Sequence, residues 1–450
     1  MPEAGSLGAR VMKGGSWVMI QMLVGNLLRL MSNLIMTRLL LPEAYGVMAL
    51  VITIHAALQM LTDIAEGRNI AREPDGDQTH FLRTVWTVKI IRNVLIALLV
   101  VLISFGFLAF GPTYFAPGTV YADPLFPPLL AVSSVILVFK GLGSTKVGLA
   151  FRRLDYRSNV FLALTAQACG IGLMILFASI SATPWALLFG MISTTLIATI
   201  LSHVFLPGPS MRLHWDREIV GRIWRFGRWL MGSSLLTFVS QMGDRLILGA
   251  LVPNETLGIY VIALLWVDVG RTAISRVGGV SFNTFSEIRR DRPAELPRLF
   301  RKFLRMIDLA CLAGFCIMVL GGQFLIQVLY DENYQASGAY IPFLALGYLG
   351  LRYDVFGMLI LAEGDSRSST IISAMRATAL CLGLWAGYQF LGIEGVLLAA
   401  ALNPLVSAPY VLWRTSRILG RDRILRDLLW LALPLGLAVV MHLMLGPALT

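Results

Sequence analysis

The sequence predicts an all-α polytopic membrane protein, with 12–13 transmembrane helices in two parallel-repeat six-helix lobes around a central cavity. Three observations predict it. Of 450 residues, 57% are hydrophobic and 14% charged, and the mean hydropathy is +0.74. That is more apolar surface than a soluble domain of this length can withdraw from water. Apolar runs of about 20 residues, long enough to cross a hydrocarbon core as a helix, recur along the whole chain. The hydropathy of the second half also follows that of the first at an offset of 212 residues.

The spans are expected at 15–37, 44–65, 86–110, 125–146, 159–181, 184–206, 228–250, 257–280, 303–328, 339–362, 368–391, 394–413 and 427–446. The last is short and contains Pro434, so the count is twelve or thirteen. Thirty-three of the 37 Lys and Arg fall in segments that alternate with spans on one side, while connections such as "GPTYFAPGTVYADP" (111–124) and "YDENYQASG" (330–338) contain none. This positive-inside bias places the N-terminus and the basic connections in the cytoplasm. The net charge of +11 is therefore a topology signal and not a nucleic-acid footprint. Basic residues followed by a long apolar stretch without a small-residue cleavage site predict an uncleaved first span. Cys169, Cys311, Cys316 and Cys381 lie in apolar spans, at spacings that suit neither zinc nor a disulfide framework, and read as small buried hydrophobes.

The expected organisation is an N-lobe over 1–206, a cytoplasmic linker over 207–224, a C-lobe over 225–426 and an additional helix over 427–450. The linker contains Pro207, Gly208 and Pro209. The segment "EIRRDRPAELPRLFRKFLRM" (287–306) is basic, with apolar residues at near-helical spacing, and is expected on the inner leaflet. At the 212 offset Gly15 and Trp17 meet Gly227 and Trp229, Gly46 meets Gly258, Lys89 meets Arg301, and Lys140 meets Arg352. Six spans per unit return the chain to the same side, so the repeats are parallel. Secondary transporters built this way place the substrate site where the repeats meet.

Polar residues inside the spans carry the functional expectation. Asn26, Arg29, Asn33 and Thr37 are spaced by three, four and four and form one stripe on a helix. Span two carries His55, Gln59 and Asp63, span seven Thr237, Gln241, Asp244 and Arg245, and span eight Asp268, Arg271 and Ser275. These are repeat-equivalent helices, and ionisable groups in lipid normally face a bundle interior or a wet cavity. One hydrated cavity is expected, made cationic by Arg29, Arg245 and Arg271, with Arg352 and Lys140 as further candidates. Guanidinium groups bind phosphate oxygens bidentately at any working pH, so the expected guest is an anion such as a phosphate or pyrophosphate. Structural readings stand beside this one. Asn26 and Asn33 also suit interhelical hydrogen bonds, Asp268 with Arg271 or Asp244 with Arg245 suit neutralising pairs, and Lys140, Lys89, Arg92 and Arg305 suit snorkelling. His55 suits a proton relay or, more simply, hydrogen-bonded packing.

Catalytic and nucleotide motifs are missing. "GLGSTKVG" (141–148) lacks the phosphate-loop spacing, no G-x-S-x-G or H-E-x-x-H occurs, and His80, His203, His214 and His442 form no cluster. Asp75-Gly76-Asp77 has the form of a metal-holding D-x-D, but it lies in a short loop and reads first as a turn. Neither an enzyme nor a cofactor is expected.

Three stretches bear a family resemblance: "TRLLLPEAYGVMAL" (37–50), "LTDIAEGRNIAREPDGDQTHFLRTVWTVKIIR" (61–92) and "GDRLILGALVPNETLGIYVIA" (243–263). They resemble the oligosaccharide flippase, or polysaccharide transporter, family of the exporter superfamily that includes multidrug and toxin extruders and peptidoglycan-precursor flippases. The chain departs from the pattern at Ala65-Glu66-Gly67-Arg68, where many members have a glycine-rich end to span two. The resemblance implies outward movement of undecaprenyl-pyrophosphate-linked oligosaccharide units for polysaccharide export, with polymerase and export proteins as downstream partners. It implies that spans one, two, seven and eight line the cavity, with Asn26, Arg29, Asn33, Gln59, Gln241, Arg245, Arg271 and Arg352 as its substrate-binding residues. His55, Asp63 and Asp268 are then the groups for coupling to an ion. The alternative is a cation-coupled multidrug or metabolite exporter of the same superfamily, which would want an acidic pocket. A glycan-joining membrane enzyme would need a sizeable outer loop that this chain lacks, and a major-facilitator transporter would carry a G-x-x-x-D-R-x-G-R type loop after span two.

Overall fold

In a computed structural model the chain is helical throughout, with no strand among the described residues, which are 7–64, 66–419 and 424–445. Ala65, Arg421 and Arg423 lie outside them, as does the end of the expected last span beyond 445. The chain forms two compact units, Met1–Leu235 and Leu236–Thr450. The first holds α1 (Leu7–Met36), α2 (Pro42–Leu61), α3 (Glu66–Arg72), α4 (Thr79–Tyr114), α5 (Phe126–Leu142), α6 (Lys146–Arg152), α7 (Tyr156–Ile180) and α8 (Pro184–Val204). Helix α9 (Arg217–Leu251) runs from the first unit into the second. The second holds α10 (Asn254–Asp291), α11 (Leu296–Leu329), α12 (Ala336–Ala345), α13 (Gly347–Gly350), α14 (Arg352–Ala362), α15 (Ser366–Val406), α16 (Ala408–Leu419) and α17 (Ile424–Leu445).

Nine described helices are long and apolar enough to cross a membrane, or ten if the α5–α6 pair, bent by 51°, is one span. The difference from thirteen has three sources. Helix α9 carries Gln241, Asp244 and Arg245, which dilute its hydropathy. The α15–α16 stretch counts once, yet 41 residues of α15 would extend about 60 Å, twice the hydrocarbon thickness. It breaks at Gly392, whose φ of 58° and ψ of −137° favour a residue without Cβ, and so supplies two of the expected spans. The last apolar stretch, Trp430–Leu445, is short.

The repeat is visible in the helix starts. Pro42 opens α2 and Pro253 caps α10 at equivalent turns, where a missing N–H costs nothing. Asp155 caps α7 by accepting from the Ser158 amide, and Asp365 caps α15 by accepting from the Ser368 amide at 3.0 Å. Each is preceded by a residue in the left-handed region, Leu154 (φ 60°) and Gly364 (φ 84°). Within the first unit, α7 and α8 pack so closely that a Cβ on Gly170 would overlap Thr194, which is how small residues hold helices together where lipid offers no hydrophobic drive.

The expected linker, 207–224, folds onto the first unit. Arg83 donates to the Ser210 carbonyl at 3.0 Å, and the His214 amide donates to Thr87 Oγ1 at 3.0 Å. Ile219 and Ile223 are 2% exposed and join a core of Ile64, Ile70, Phe81, Leu82, Val85 and Leu149. Each contributes about 2 kcal/mol of burial. Beside that core Arg222 grips Glu73 Oε2 at 3.1 Å and Asp75 Oδ2 at 2.6 Å, while Arg152 donates to the carbonyls of Ile70 (2.6 Å), Pro74 (3.1 Å) and Glu73 at the end of α3. Asp75-Gly76-Asp77 is thus a turn, with the Gly76 amide bonded to the Glu73 carbonyl at 3.1 Å.

The Arg222 hydrogen bond holds the Asp75 carboxyl below its usual 3.8, against a smaller opposing effect of burial. A depressed carboxylate stabilises the fold fully above about pH 4, and that contribution is lost as pH falls through the lowered value. The unfolding midpoint in detergent should therefore drop more steeply between about pH 5 and about pH 3 in the native chain than in Arg222→Gln; equal slopes would show that this pair contributes nothing.

Candidate functional site

In the first unit, α1 packs on α7 through Gly25, Ser32 and Met36, with Gln167 Nε2 donating to the Gly25 carbonyl at 2.9 Å. Its opposite face exposes Leu23, Leu27 and Met31. The stripe of Asn26, Arg29, Asn33 and Thr37 runs between these faces, about a quarter turn from the packed one. Thr37 is buried and its hydroxyl donates to the Asn33 carbonyl at 2.9 Å. Arg29 is exposed, and among the described residues the side chains of Asn26, Arg29 and Asn33 make no hydrogen bond or ion pair.

The span-two stripe goes elsewhere. His55, Gln59 and Ile52 of α2 line a hollow of about 700 Å³ inside the first unit, with Glu66 of α3, Lys89 of α4, Lys140 of α5 and the hydroxyls of Thr194, Thr195, Thr199 and Ser202 on α8. Among the described residues, none of α1 lines it. His55 is 7% exposed and lies 2.8 Å from Ser133 Oγ, whose own hydrogen is donated to the Leu130 carbonyl at 2.6 Å. The Ser133 oxygen therefore accepts, and the His55 proton sits on Nε2. This is the packing histidine of the simpler expectation. Asp63, at the end of α2, lies 3.8 Å from both Arg68 and Arg92 and is a counter-ion to connection cations. Lys89 pairs with Glu66 at 3.3 Å, while Lys140 donates to Gln59 Oε1, a neutral acceptor.

In the second unit two adjoining hollows, of about 310 and about 60 Å³, share Ser240, Gln241, Arg271 and Asn403. Arg245 lies 3.8 Å from Asp268, and the buried Asp244 accepts from Tyr260 Oη at 2.5 Å. Arg245 is the cation within ion-pair distance of Asp268, and Arg271, one turn along α10, acts on the same carboxylate from farther away, as the expected Asp268–Arg271 pair would. Asp244 and Arg245 both reach α10, where Asp244 meets Tyr260 and Arg245 meets Asp268. Arg271 is exposed to the hollow and makes no hydrogen bond or ion pair among the described residues. Arg376, absent from the expected site, lies in the same hollow. It is bound to Asp354 at 2.8 Å and to Ser407 Oγ at 2.9 Å. Its position in the sequence marks it only as one more cation of a basic segment.

Arg352 corrects an expectation. It is 5% exposed, donates to Asp308 Oδ2 at 2.8 Å and to Asp427 Oδ1, and stacks its guanidinium 4.8 Å from the Trp430 ring. Two carboxylates and an indole consume its charge, so it ties α11, α14 and α17 together and is not presented to a guest.

A family model described as "Polysaccharide biosynthesis protein" matches residues 35–339. The chain belongs to the polysaccharide biosynthesis protein family. Its relatives include a putative O-antigen transporter of Shigella flexneri, 20% identical over 435 residues, which are 91% of this chain and 98% of that one. The succinoglycan biosynthesis transport protein ExoT of Rhizobium meliloti is 24% identical over 262 residues, covering 57% of this chain; the match spans only half (50%) of that protein. Among solved structures, an inward-facing multidrug resistance transporter of the MATE family of the MOP superfamily superposes with a TM-score of 0.65 at 17% identity, covering 86% of this chain and 94% of that chain. The lipid II flippase MurJ superposes with a TM-score of 0.64 at 12% identity, covering 96% and 98%. At such identities the likeness establishes the fold. By family and by its apolar helices the chain is a multi-pass membrane protein related to bacterial polysaccharide transporters.

Arg352→Gln leaves two partly buried carboxylates without their cation and should cost about 3 kcal/mol, read as a lowered unfolding midpoint in detergent. Arg271→Gln, which breaks no pair, should unfold with the native chain. Equal losses in the two variants would mean that Arg271 is structural after all.

Proposed function

We propose that this polysaccharide biosynthesis protein moves oligosaccharide units carried on undecaprenyl pyrophosphate from the inner to the outer leaflet of the cytoplasmic membrane. The observation that carries the reading is Arg29 in the first unit, which has no carboxylate partner among the described residues, together with Arg271 in the second, which makes no ion pair there and shares the field of Asp268 with Arg245, in a family of polysaccharide exporters. An arginine within a membrane span is costly unless water or a counter-ion reaches it. Structural arginines of this chain, such as Arg352 and Arg376, carry their carboxylates with them. Arg29 does not, and Arg271 has only the share of Asp268 that Arg245 leaves, so a guest anion supplies the missing charge, and a pyrophosphate matches the fork of a guanidinium.

Asn26 and Asn33 beside Arg29, and Gln241 beside Arg271, then offer hydrogen bonds to the sugar or phosphate oxygens, whereas Gln59 is engaged by Lys140; Arg245 with Asp268 sets the geometry around Arg271. Alternating exposure of these groups to the two sides of the membrane would carry the head group across. With the basic connections in the cytoplasm, the inside-negative potential favours expulsion of an anion by about 2.3 kcal/mol per charge at 100 mV. For ion coupling, Asp268 is the candidate that faces the hollow, whereas His55 and Asp63 are engaged by packing and by connection cations.

The test uses a strain lacking the gene, with downstream polymerisation blocked. Lipid-linked sugars should accumulate facing the cytoplasm, inaccessible to enzymes added outside. The intact gene should relieve this, and Arg29→Ala or Arg271→Gln should lower export at least tenfold with normal amounts of protein in the membrane. Normal outward display combined with new sensitivity to cationic drugs would overturn the reading in favour of a drug exporter.

A further inference from the structure

The 700 Å³ hollow of the first unit has a chemistry of its own. Its walls are largely apolar, built by Ile52, Ile136, Val147, Phe151, Leu162 and Met191. Its polar groups are two lysines, one carboxylate, one imidazole, one amide and a row of hydroxyls along α8. Three of these are already satisfied: Lys89 has Glu66, His55 has Ser133, and Thr199 donates to the Phe139 carbonyl at 2.8 Å. Lys140 is different. Its side chain is exposed to the hollow, its one hydrogen-bond partner is the neutral Gln59, and no carboxylate lies within ion-pair distance of it among the described residues. Lys89 and Arg92 add further positive charge on its side of the hollow, against Glu66 and Asp63.

An ammonium inside a membrane-embedded unit, with an uncharged partner, lacks the negative charge that would normally accompany it. The space beside it is of the size that holds a small molecule. The wall is apolar where a purely ionic guest would want water. A guest that satisfies both requirements has one anionic end and a hydrocarbon body. The position of the cation also selects the guest's orientation. Lys140 lies on the last turn of α5, next to α3 and α6, which belong to the basic connections. A head group bound there would lie toward the basic side, with its chain running along α2 and α8.

We propose that this hollow is a binding site for a phosphate-headed lipid, with Lys140 and Gln59 taking the phosphate and the α2, α5 and α8 walls taking the hydrocarbon. The site rests on the functional reading above for its purpose, as a place where the carrier lipid of the substrate is held on the basic side. Its existence is a separate matter. Two sources share the chemistry, a polyprenyl phosphate and a bilayer phospholipid.

The test is equilibrium binding of labelled farnesyl phosphate to the full chain purified in a neutral detergent. Binding should saturate and be displaced by unlabelled farnesyl phosphate, but not by equal concentrations of farnesol or inorganic phosphate. Displacement by short-chain phosphatidylglycerol would assign the site to phospholipids, and its failure would assign it to the polyprenyl carrier. Lys140→Gln should weaken binding at least tenfold while Lys140→Arg retains it. Ala198→Phe, which fills the hollow without touching a charge, should abolish it and covers the case in which Lys140→Gln fails to fold. Undiminished binding in Lys140→Gln or Ala198→Phe, or displacement by inorganic phosphate alone, would overturn the site. Loss of the site with glycan-lipid translocation intact would leave the functional reading standing.

Discussion

A cation held away from water must find a negative charge, and the organisation of this protein follows how each of its membrane-embedded cations meets that demand. Arg352 is matched within the fold by Asp308 and Asp427, Arg376 by Asp354, Arg245 by Asp268 and Lys89 by Glu66. Those of Arg352 join α14 to α11 and α17, and the others tie neighbouring helices, so that each unit is held in one specific packing. Arg29, Arg271 and Lys140 are not matched in this way. The separation between structural and available charge is therefore a property of partners and not of residue type or depth.

The same constraint explains where the backbone departs from regular helix. A hydrocarbon layer leaves no water for an open carbonyl, so irregular backbone is confined to buried or wet places. The break of α15 at Gly392, the bend between α5 and α6 and the capped turns at Asp155 and Asp365 all come where the chain ends a crossing. Outside the spans, where water competes, the fold relies on multiple weak ties. Arg222 and Arg83 fasten the segment after α8 onto the first unit, and Arg152 holds the end of α3 beside it. Asp365, half-buried at its helix cap, accepts from Ser368 and Arg414 and is held down to about 2.

Periodic signals were legible in the sequence because they are local. Span lengths, the alternation of basic connections and the two-fold repeat depend on residues a turn or a crossing apart, and the helices follow them closely. The stripe on α1 was legible for the same reason. Span two shows the limit. His55, Gln59 and Asp63 share a helical face by spacing, yet one packs on Ser133, one meets Lys140 and one pairs with connection arginines. A single face three turns long passes three different neighbours.

By itself, then, the sequence determined an all-helical membrane protein of the polysaccharide biosynthesis family, because hydropathy and local motifs are properties of the chain alone. Tertiary structure decided which charges are spent. Whether Arg352 is open to a guest depends on carboxylates 44 and 75 residues away along the chain. It also decided that residues 207–224 belong to the first unit, since Ile219, Arg222 and Ile223 find their partners only when α3, α4 and α6 have already come together.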